Sequence, residues 1–195
     1  MSPSRTIAGL STAVLLMIGA QAFSATASYA IDPDHSDALF RTLHFNVGHV
    51  YGRFTDVSGV LTIDDAAPGT DSFAVTVAAE SVLTSQEKRD KHIKGPDFFD
   101  VKQFPTLSFT SSAVAAIDAT TLEVTGALTI HGVTRTVTAK VVKVGEGQVF
   151  GATRVGYETQ FAIRRSEFGM NMTAVPAAVV ADEVTIILAV EAVRK

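Results

Sequence analysis

Residues 122–141 read LEVTGALTIHGVTRTVTAKV. Leu122, Val124, Gly126, Leu128 and Ile130 alternate with Glu123, Thr125, Ala127 and Thr129. After His131-Gly132, Val133, Val137, Ala139 and Val141 alternate with Thr134, Thr136, Thr138 and Lys140. Successive side chains leave a pleated backbone on opposite faces, so period 2 is the mark of a strand with one buried face. The threonines and β-branched apolar residues suit such a surface. Two residues including a glycine separate the two runs, which is hairpin spacing.

The same alternation extends outward in both directions. Phe73, Val75, Val77 and Ala79 form one stripe, Leu107 and Phe109 another, and Val184, Ile186, Leu188 and Val190 the last. Asp64-Asp65-Ala66-Ala67-Pro68-Gly69 closes one strand, and Lys143–Gln148, with Gly145 and Gly147, reads as a further turn. The chain divides into about eight strands, near 36–46, 52–64, 71–82, 106–117, 120–131, 133–144, 150–163 and 182–194. Consecutive strands with short turns make an antiparallel meander, and eight can close into an up-and-down barrel without exposed edges. A two-sheet sandwich is the alternative arrangement.

One helix interrupts the strands. Thr84-Ser85-Gln86-Glu87 reads as a capping box, Glu87 and Lys91 as an i,i+4 pair, and Gly95-Pro96 as the stop. The connector that follows, DFFDVKQFP at 97–105, holds three phenylalanines and reads as a cover over something apolar. A second irregular stretch, 164–181, contains Phe168, Met170 and Met172. Lys88, Arg89, Lys91, His92 and Lys94 make the helix basic, which suits a solvated face or a docking patch for anionic head groups. Arg164-Arg165 suits an ion pair or carbonyl capping, with head-group contact as the functional alternative.

Composition narrows the function. The chain has 195 residues, 47% hydrophobic and 18% charged, which is one ordinary domain and not a disordered chain. Its formal charge of −4, without a basic block, argues against nucleic-acid binding. Cysteine is absent, which excludes disulfides, thiolate metal sites and a thiol nucleophile. Tryptophan is absent too. Residues 1–27 read as a cleaved export signal: Arg5, an apolar run Ile7–Ala20, then Ala25-Thr26-Ala27 before a cut near Ala27/Ser28, with Ala20-Gln21-Ala22 as a second cut site. The mature domain is then 28–195, its charge moves from −4 to −5 with the loss of Arg5, and its location is periplasmic or secreted.

No catalytic constellation emerges. His35, His44, His49, His92 and His131 form no H-x-H or H-E-x-x-H pair. There is no G-x-S-x-G elbow and no glycine-rich phosphate loop. The expectation is a protein without catalytic residues, bound metal or resident cofactor. His44 is the seed of the competing reading, a lipid-modifying isomerase or hydrolase on the same barrel.

Read in order, the landmarks resemble the YceI family of secreted lipocalin-like proteins. They are Ile31-Asp32-Pro33, His35-Ser36, Phe40 and His44; Tyr51-Gly52-Arg53-Phe54 and Ser58-Gly59-Val60-Leu61; Ser81, Thr84 and Arg89-Asp90-Lys91-His92-Ile93; Asp97-Phe98-Phe99-Asp100 and Phe104-Pro105-Thr106-Leu107-Ser108-Phe109; Gly126 to Arg135; Arg165-Ser166-Glu167-Phe168-Gly169-Met170; and Asp182-Glu183-Val184. The match runs from about Tyr29 to Val193. Asn46 departs from the family pattern, which usually has a small residue there, and His49 lies where the pattern is less polar.

The resemblance implies a lipocalin-like eight-stranded barrel with an apolar internal tunnel that binds a polyisoprenoid, a quinone or a similar long-chain lipid. Candidate lining residues, drawn from the stripes and the connector, are Phe40, Phe54, Val75, Val77, Phe98, Phe99, Leu107, Phe109, Leu128, Ile130, Phe161, Phe168, Met170, Ile186 and Leu188. Plain core packing is the competing role for each. Expected partners are the lipid and, in passing, a membrane surface. On the first strand Ala38, Phe40, Thr42 and His44 oppose Leu39, Arg41, Leu43 and Phe45, both faces are partly apolar, and an outer apolar face implies a second copy of the chain or a covering helix.

Overall fold

The computed structural model describes residues 26–170 and 172–195. The export signal expected over 1–27 lies outside these residues except at its last two positions. Among the described residues there are eleven strands: β1 (Ala27–Ile31), β2 (Asp37–His44), β3 (Gly48–Phe54), β4 (Val57–Ile63), β5 (Ser72–Ala78), β6 (Val82–Leu83), β7 (Thr106–Ala116), β8 (Thr121–Ile130), β9 (Val133–Val149), β10 (Ala152–Arg164) and β11 (Val180–Arg194). One α-helix, α1 (Glu87–Ile93), sits between β6 and β7.

All pairings are antiparallel, and the ring β1-β4-β5-β7-β8-β9-β10-β11 closes through β1 and β11. Closure settles the architecture as an eight-stranded barrel and removes the sandwich. Eleven strands make eight staves because three staves are broken. β1 and β2 lie end to end along β11, which pairs Ala192–Arg194 with one and Val180–Ala189 with the other. β3 and β4 form the next stave, pairing with β2 and β1. β5 continues it beside β4, whereas β6 meets β3 at only two positions, Arg53↔Leu83 and Phe54↔Val82.

The break between β1 and β2 is chemically specified. Pro33 fixes a short 3-10 turn, and Asp32 caps it by accepting the Asp34 N–H at 3.1 Å. Asp32 also accepts from Arg154 Nη1 at 2.7 Å and lies 2.9 Å from His35 Nδ1. The same Arg154 Nη1 donates to Glu191, so one guanidinium ties β10 and β11 to the bend. Asp32, His35 and Glu191 stand close enough to share a cation, but the guanidinium already bonds both carboxylates. Arg154 and then His35 hold the Asp32 carboxyl at about 2, below the usual carboxylate range.

Alternation places the core. The inward stripe of β5 is Phe73, Val75 and Val77, and that of β8 is Leu122, Val124, Leu128 and Ile130, all buried. Two glycines make room for rings on this inner face. A Cβ on Gly52 would stand 2.2 Å from the Phe40 ring, and one on Gly126 would stand 2.5 Å from the Phe109 ring. Each aromatic ring therefore lies over a glycine on the neighbouring strand. His131-Gly132 is the tight hairpin turn, with both residues at positive φ.

Three local expectations are corrected. β1 lies ahead of the first expected strand, which begins near 36, because five residues carry too short an alternation to read. Lys143–Gln148 is strand, not turn: β9 runs on to Val149, and Phe150-Gly151, both at positive φ, make the hairpin. Gly145 and Gly147 have nothing within 4 Å of an added Cβ, so neither packing nor a turn requires them. Thr84 does not cap α1. Gln86 does, accepting the Arg89 N–H, while Ser85 at φ 61 turns the chain and the Thr84 hydroxyl donates to Asp90.

Two outcomes follow from these contacts. Gly52→Ala, which drives a methyl into Phe40, loses about 1–3 kcal/mol in urea unfolding, while Gly145→Ala changes stability by no more than about 0.5 kcal/mol. A lowered carboxyl pKa stabilises the fold above the unfolded value of 3.8 and loses that contribution as pH falls through about 2. The stability difference between the native protein and Asp32→Asn therefore shrinks across that acid window, as measured by thermal melts at successive pH values.

Candidate functional site

Two adjoining chambers occupy the barrel interior. The inner one, about 120 Å³, is walled by the inward stripes of β4, β5, β7, β8, β9, β10 and β11. The wider one, about 390 Å³, is bounded by β2, β3, α1, the Phe98-Phe99 connector, the end of β10 and the segment 174–180. Phe54, Leu107, Ile130 and Ile186 belong to both walls. The wider volume lies in the ordinary range of small-molecule sites, about 300–1,000 Å³.

The broken staves explain why the interior widens at this end. With β6 only two residues long, β3 and β7 are not bridged by a full strand here, and α1 and the connector fill the space instead. Phe99 anchors them, with its ring 5.2 Å from Phe54 and 6.4 Å from Phe40, both edge-on. Such edge-on pairs add roughly 0.5–1.5 kcal/mol beyond area burial. The base of α1 is held by polar contacts. Arg89 donates from Nε to the Thr84 hydroxyl at 2.7 Å and from Nη2 to the Thr84 carbonyl at 2.6 Å. Asp90 accepts the Thr84 N–H at 2.7 Å, and His92 Nε2 lies 3.0 Å from Asp97 Oδ2.

Of the candidate residues, Val75, Val77, Phe109, Phe161, Leu128 and Leu188 line the inner chamber. Phe40, Phe98, Phe99 and Met170 line the wider one, and Phe54, Leu107, Ile130 and Ile186 line both. Phe168 lines neither. It is 1% exposed and packs with Leu128, Ile130, Ile163 and Met170. It closes the short turn 165–168, so its position in an irregular segment carried no face to read.

Several wall residues were not among the candidates. Thr42 and His44 continue the inward stripe of Ala38 and Phe40, so alternation on β2 could have found them. Ile163 follows Phe161 in the same way. Tyr157 lines the inner chamber, edge-on to Phe73 at 5.4 Å. Burial pushes its phenol up to about 12, so it stays protonated at neutral pH.

Of the two structural roles expected for Arg165, an ion pair or carbonyl capping, it takes the second. It donates to the carbonyls of Val175 at 2.6 Å, Val180 at 2.7 Å and Ala181 at 3.1 Å. It also lines the wider chamber while only 1% exposed, which no alternation pattern could have signalled. Lys94 pairs with Glu80 at 2.9 Å, and with Arg89 and His92 engaged as above, much of the basic helix face is tied to neighbouring polar groups.

The outer end of the wider chamber carries an apolar lip. Phe45 and Val47, at the β2–β3 turn beside the wall residues His44 and Val50, are 56% and 87% exposed. The turn is anchored by the Phe45 N–H, which donates to Val179 at 2.9 Å.

Comparison with known proteins agrees with this architecture. A family model described as a YceI-like domain matches residues 29–192. A UPF0312 protein of Pseudomonas aeruginosa is 36% identical over 194 residues, covering 98% of each chain. BcnA of Burkholderia cenocepacia superposes with a TM-score of 0.76 at 26% identity, over 83% of this chain and 98% of its own. A polyisoprenoid binding domain from Saccharophagus degradans shares the fold with a TM-score of 0.68 at 14% identity, over 87% and 99% of the two chains. The matched stretch takes in nearly every strand of the ring together with the helix and connector that cover it, and the chain belongs to the YceI-like family.

Proposed function

We propose that the protein binds a polyisoprenoid, quinone or similar long-chain amphiphilic lipid inside the barrel and carries or sequesters it in the periplasm. One observation carries this reading: two adjoining chambers, walled almost throughout by aliphatic and aromatic side chains, run from the helix-covered end into the ring. The polyisoprenoid-binding domain of the same fold supports the ligand class. The leader-like residues 1–27 support export.

The energetics are adequate without a special polar contact. Each buried CH₂ contributes roughly 0.8 kcal/mol, so several five-carbon units offset an association cost of about 4–15 kcal/mol. The lipid enters beside α1, between the connector and the Phe45–Val47 lip, and its tail reaches the inner chamber past Phe54 and Leu107. The exposed apolar lip lets this end touch a membrane surface in passing. His44 on the chamber wall supports one second reading, a lipid-modifying enzyme. His44→Ala with normal uptake but no conversion of the bound lipid would favour it.

Protein purified from the periplasm without detergent should yield a near-stoichiometric prenyl lipid or quinone on solvent extraction and mass spectrometry. Val77→Phe and Leu128→Trp fill the inner chamber. Each should stay folded at a cost of about 1–3 kcal/mol and lose most lipid uptake in a binding titration. Normal uptake by both folded variants would reject an internal site.

A further inference from the structure

β9 and β10 run on past the ring. The β8–β9 ladder ends at Thr121↔Val142, with one further bond from the Lys143 N–H to the Thr120 carbonyl at 2.7 Å. From Val144 to Val149, β9 pairs with β10 alone. Among the described residues, no backbone group bonds to the other edge of this stretch. The closed ring hides its strand edges, and this ribbon brings one back.

The edge is poorly guarded. Proteins blunt open edges with proline, charge or a bulge. Here residues 144–151 read VGEGQVFG, and the one bulge lies at the base, opposite Gly156/Tyr157. The single charge, Glu146, accepts from Lys143 Nζ at 2.7 Å. Val144 is 69% exposed and the Phe150 ring is wholly so. Large apolar side chains left bare beside a free edge mark an interaction surface. Gly145 and Gly147 have open space where a Cβ would stand, so packing within the ribbon does not account for them.

The edge is complementary to itself. The turn Phe150-Gly151 sets Val149 opposite Ala152, and alternation then aims the N–H and C=O of Glu146 and Gln148 away from β10. Two such edges related by a twofold axis pair antiparallel, with one residue facing its own copy at the axis. Centred on Gly147, Glu146 faces the partner's Gln148, Gly145 faces the partner's Val149, and Val144 lies beside the partner's Phe150. The two glycines then let the backbones and the valine come close. Centred on Glu146 instead, two identical carboxylates stand opposite each other, which is destabilising. The charge pattern therefore selects the first register.

We propose that this edge of β9 is a homodimer surface: a second copy of the chain adds its own residues 144–149 antiparallel to these, with Gly147 at the twofold axis. β9 leaves the covered end of the ring at Val133, beside Gly169, so the ribbon stands at the far end and both chamber mouths stay free. The inference is independent of the lipid-binding reading. The pairing is short, below the ~1,200 Å² of a standard interface, so the dimer is weak, with a micromolar dissociation constant.

Protein purified from the periplasm is sedimented over a concentration series. The weight-average sedimentation coefficient should rise from monomer to dimer across the micromolar range. Phe150→Asp, a change at an exposed turn residue, should raise the dissociation constant at least about tenfold with an unaltered circular dichroism spectrum. The chain has no cysteine, so single cysteines report the register. Gly147→Cys should give a disulfide-linked dimer under mild oxidation, because the pair at the axis lies within bonding distance. Gly145→Cys should not, since its two copies stand four residues apart, more than about 13 Å. A monomer at every concentration overturns the proposal, even if an added extended peptide binds the edge. So does a dimer that is indifferent to Phe150→Asp, or one that Gly147→Cys fails to cross-link. Either result places the contact elsewhere, such as the outer face of β2.

Discussion

The structure depends on one strand serving two partners. β11 pairs along most of its length with β10, and on its other edge it holds β2 and then β1. Because β1 begins the chain of staves and β11 ends it, these few pairs at Tyr29, Ala30 and Ile31 turn a meander into a ring. The bend at Asp32–Ser36 lets one edge accept two strands end to end, both antiparallel to β11. Arg154 locks that bend from β10 and β11 at once, which is why a partly exposed ion-pair cluster matters more here than a surface pair ordinarily would.

A closed ring of eight strands has an interior just wide enough to be filled by side chains or to hold one ligand. This chain does some of each. Where staves are continuous, Phe73, Val75, Val124 and Tyr157 nearly fill the space. Where β3 and β4 part and β6 ends after two residues, the space opens into the wider chamber. Phe40 over Gly52 and Phe109 over Gly126 make the same choice in miniature: a side chain is deleted on one strand so that a ring from its neighbour can lie flat against the wall.

Much of this was legible in the sequence because a barrel is written in period 2. The stripes at 73–79, 122–130 and 184–190 gave both the strands and the faces that became chamber walls. Legibility failed where the alternation was too short or absent. β1 offered only five residues, Ala27–Ile31, next to the expected export signal. The glycines at 145 and 147 imitated a turn inside a strand whose ladder continues. Thr84 matched a capping box by spacing, yet its hydroxyl found Asp90 within reach once Ser85 took a left-handed turn. Phe168 and Arg165 sit together on one irregular turn, where no periodicity assigns a face. Which of them would be plug and which would be wall depended on the return of the segment 174–181 over that turn.

The two halves of the barrel are also held by different kinds of interaction, and this bears on how a lipid gets in. The ring is a continuous ladder of backbone hydrogen bonds over a buried apolar core, so opening it means unfolding it. The wider chamber is covered by a seven-residue helix, a connector and a loop, held by Thr84, Asp90, Arg89 and the guanidinium of Arg165. Elements with few ladder bonds open at lower free energy than the core they cover. Parting the cover therefore costs less than opening the ring, and several of its fastenings are side-chain contacts. Ligand access and fold stability are thereby assigned to separate sets of contacts, with Arg165 belonging to both.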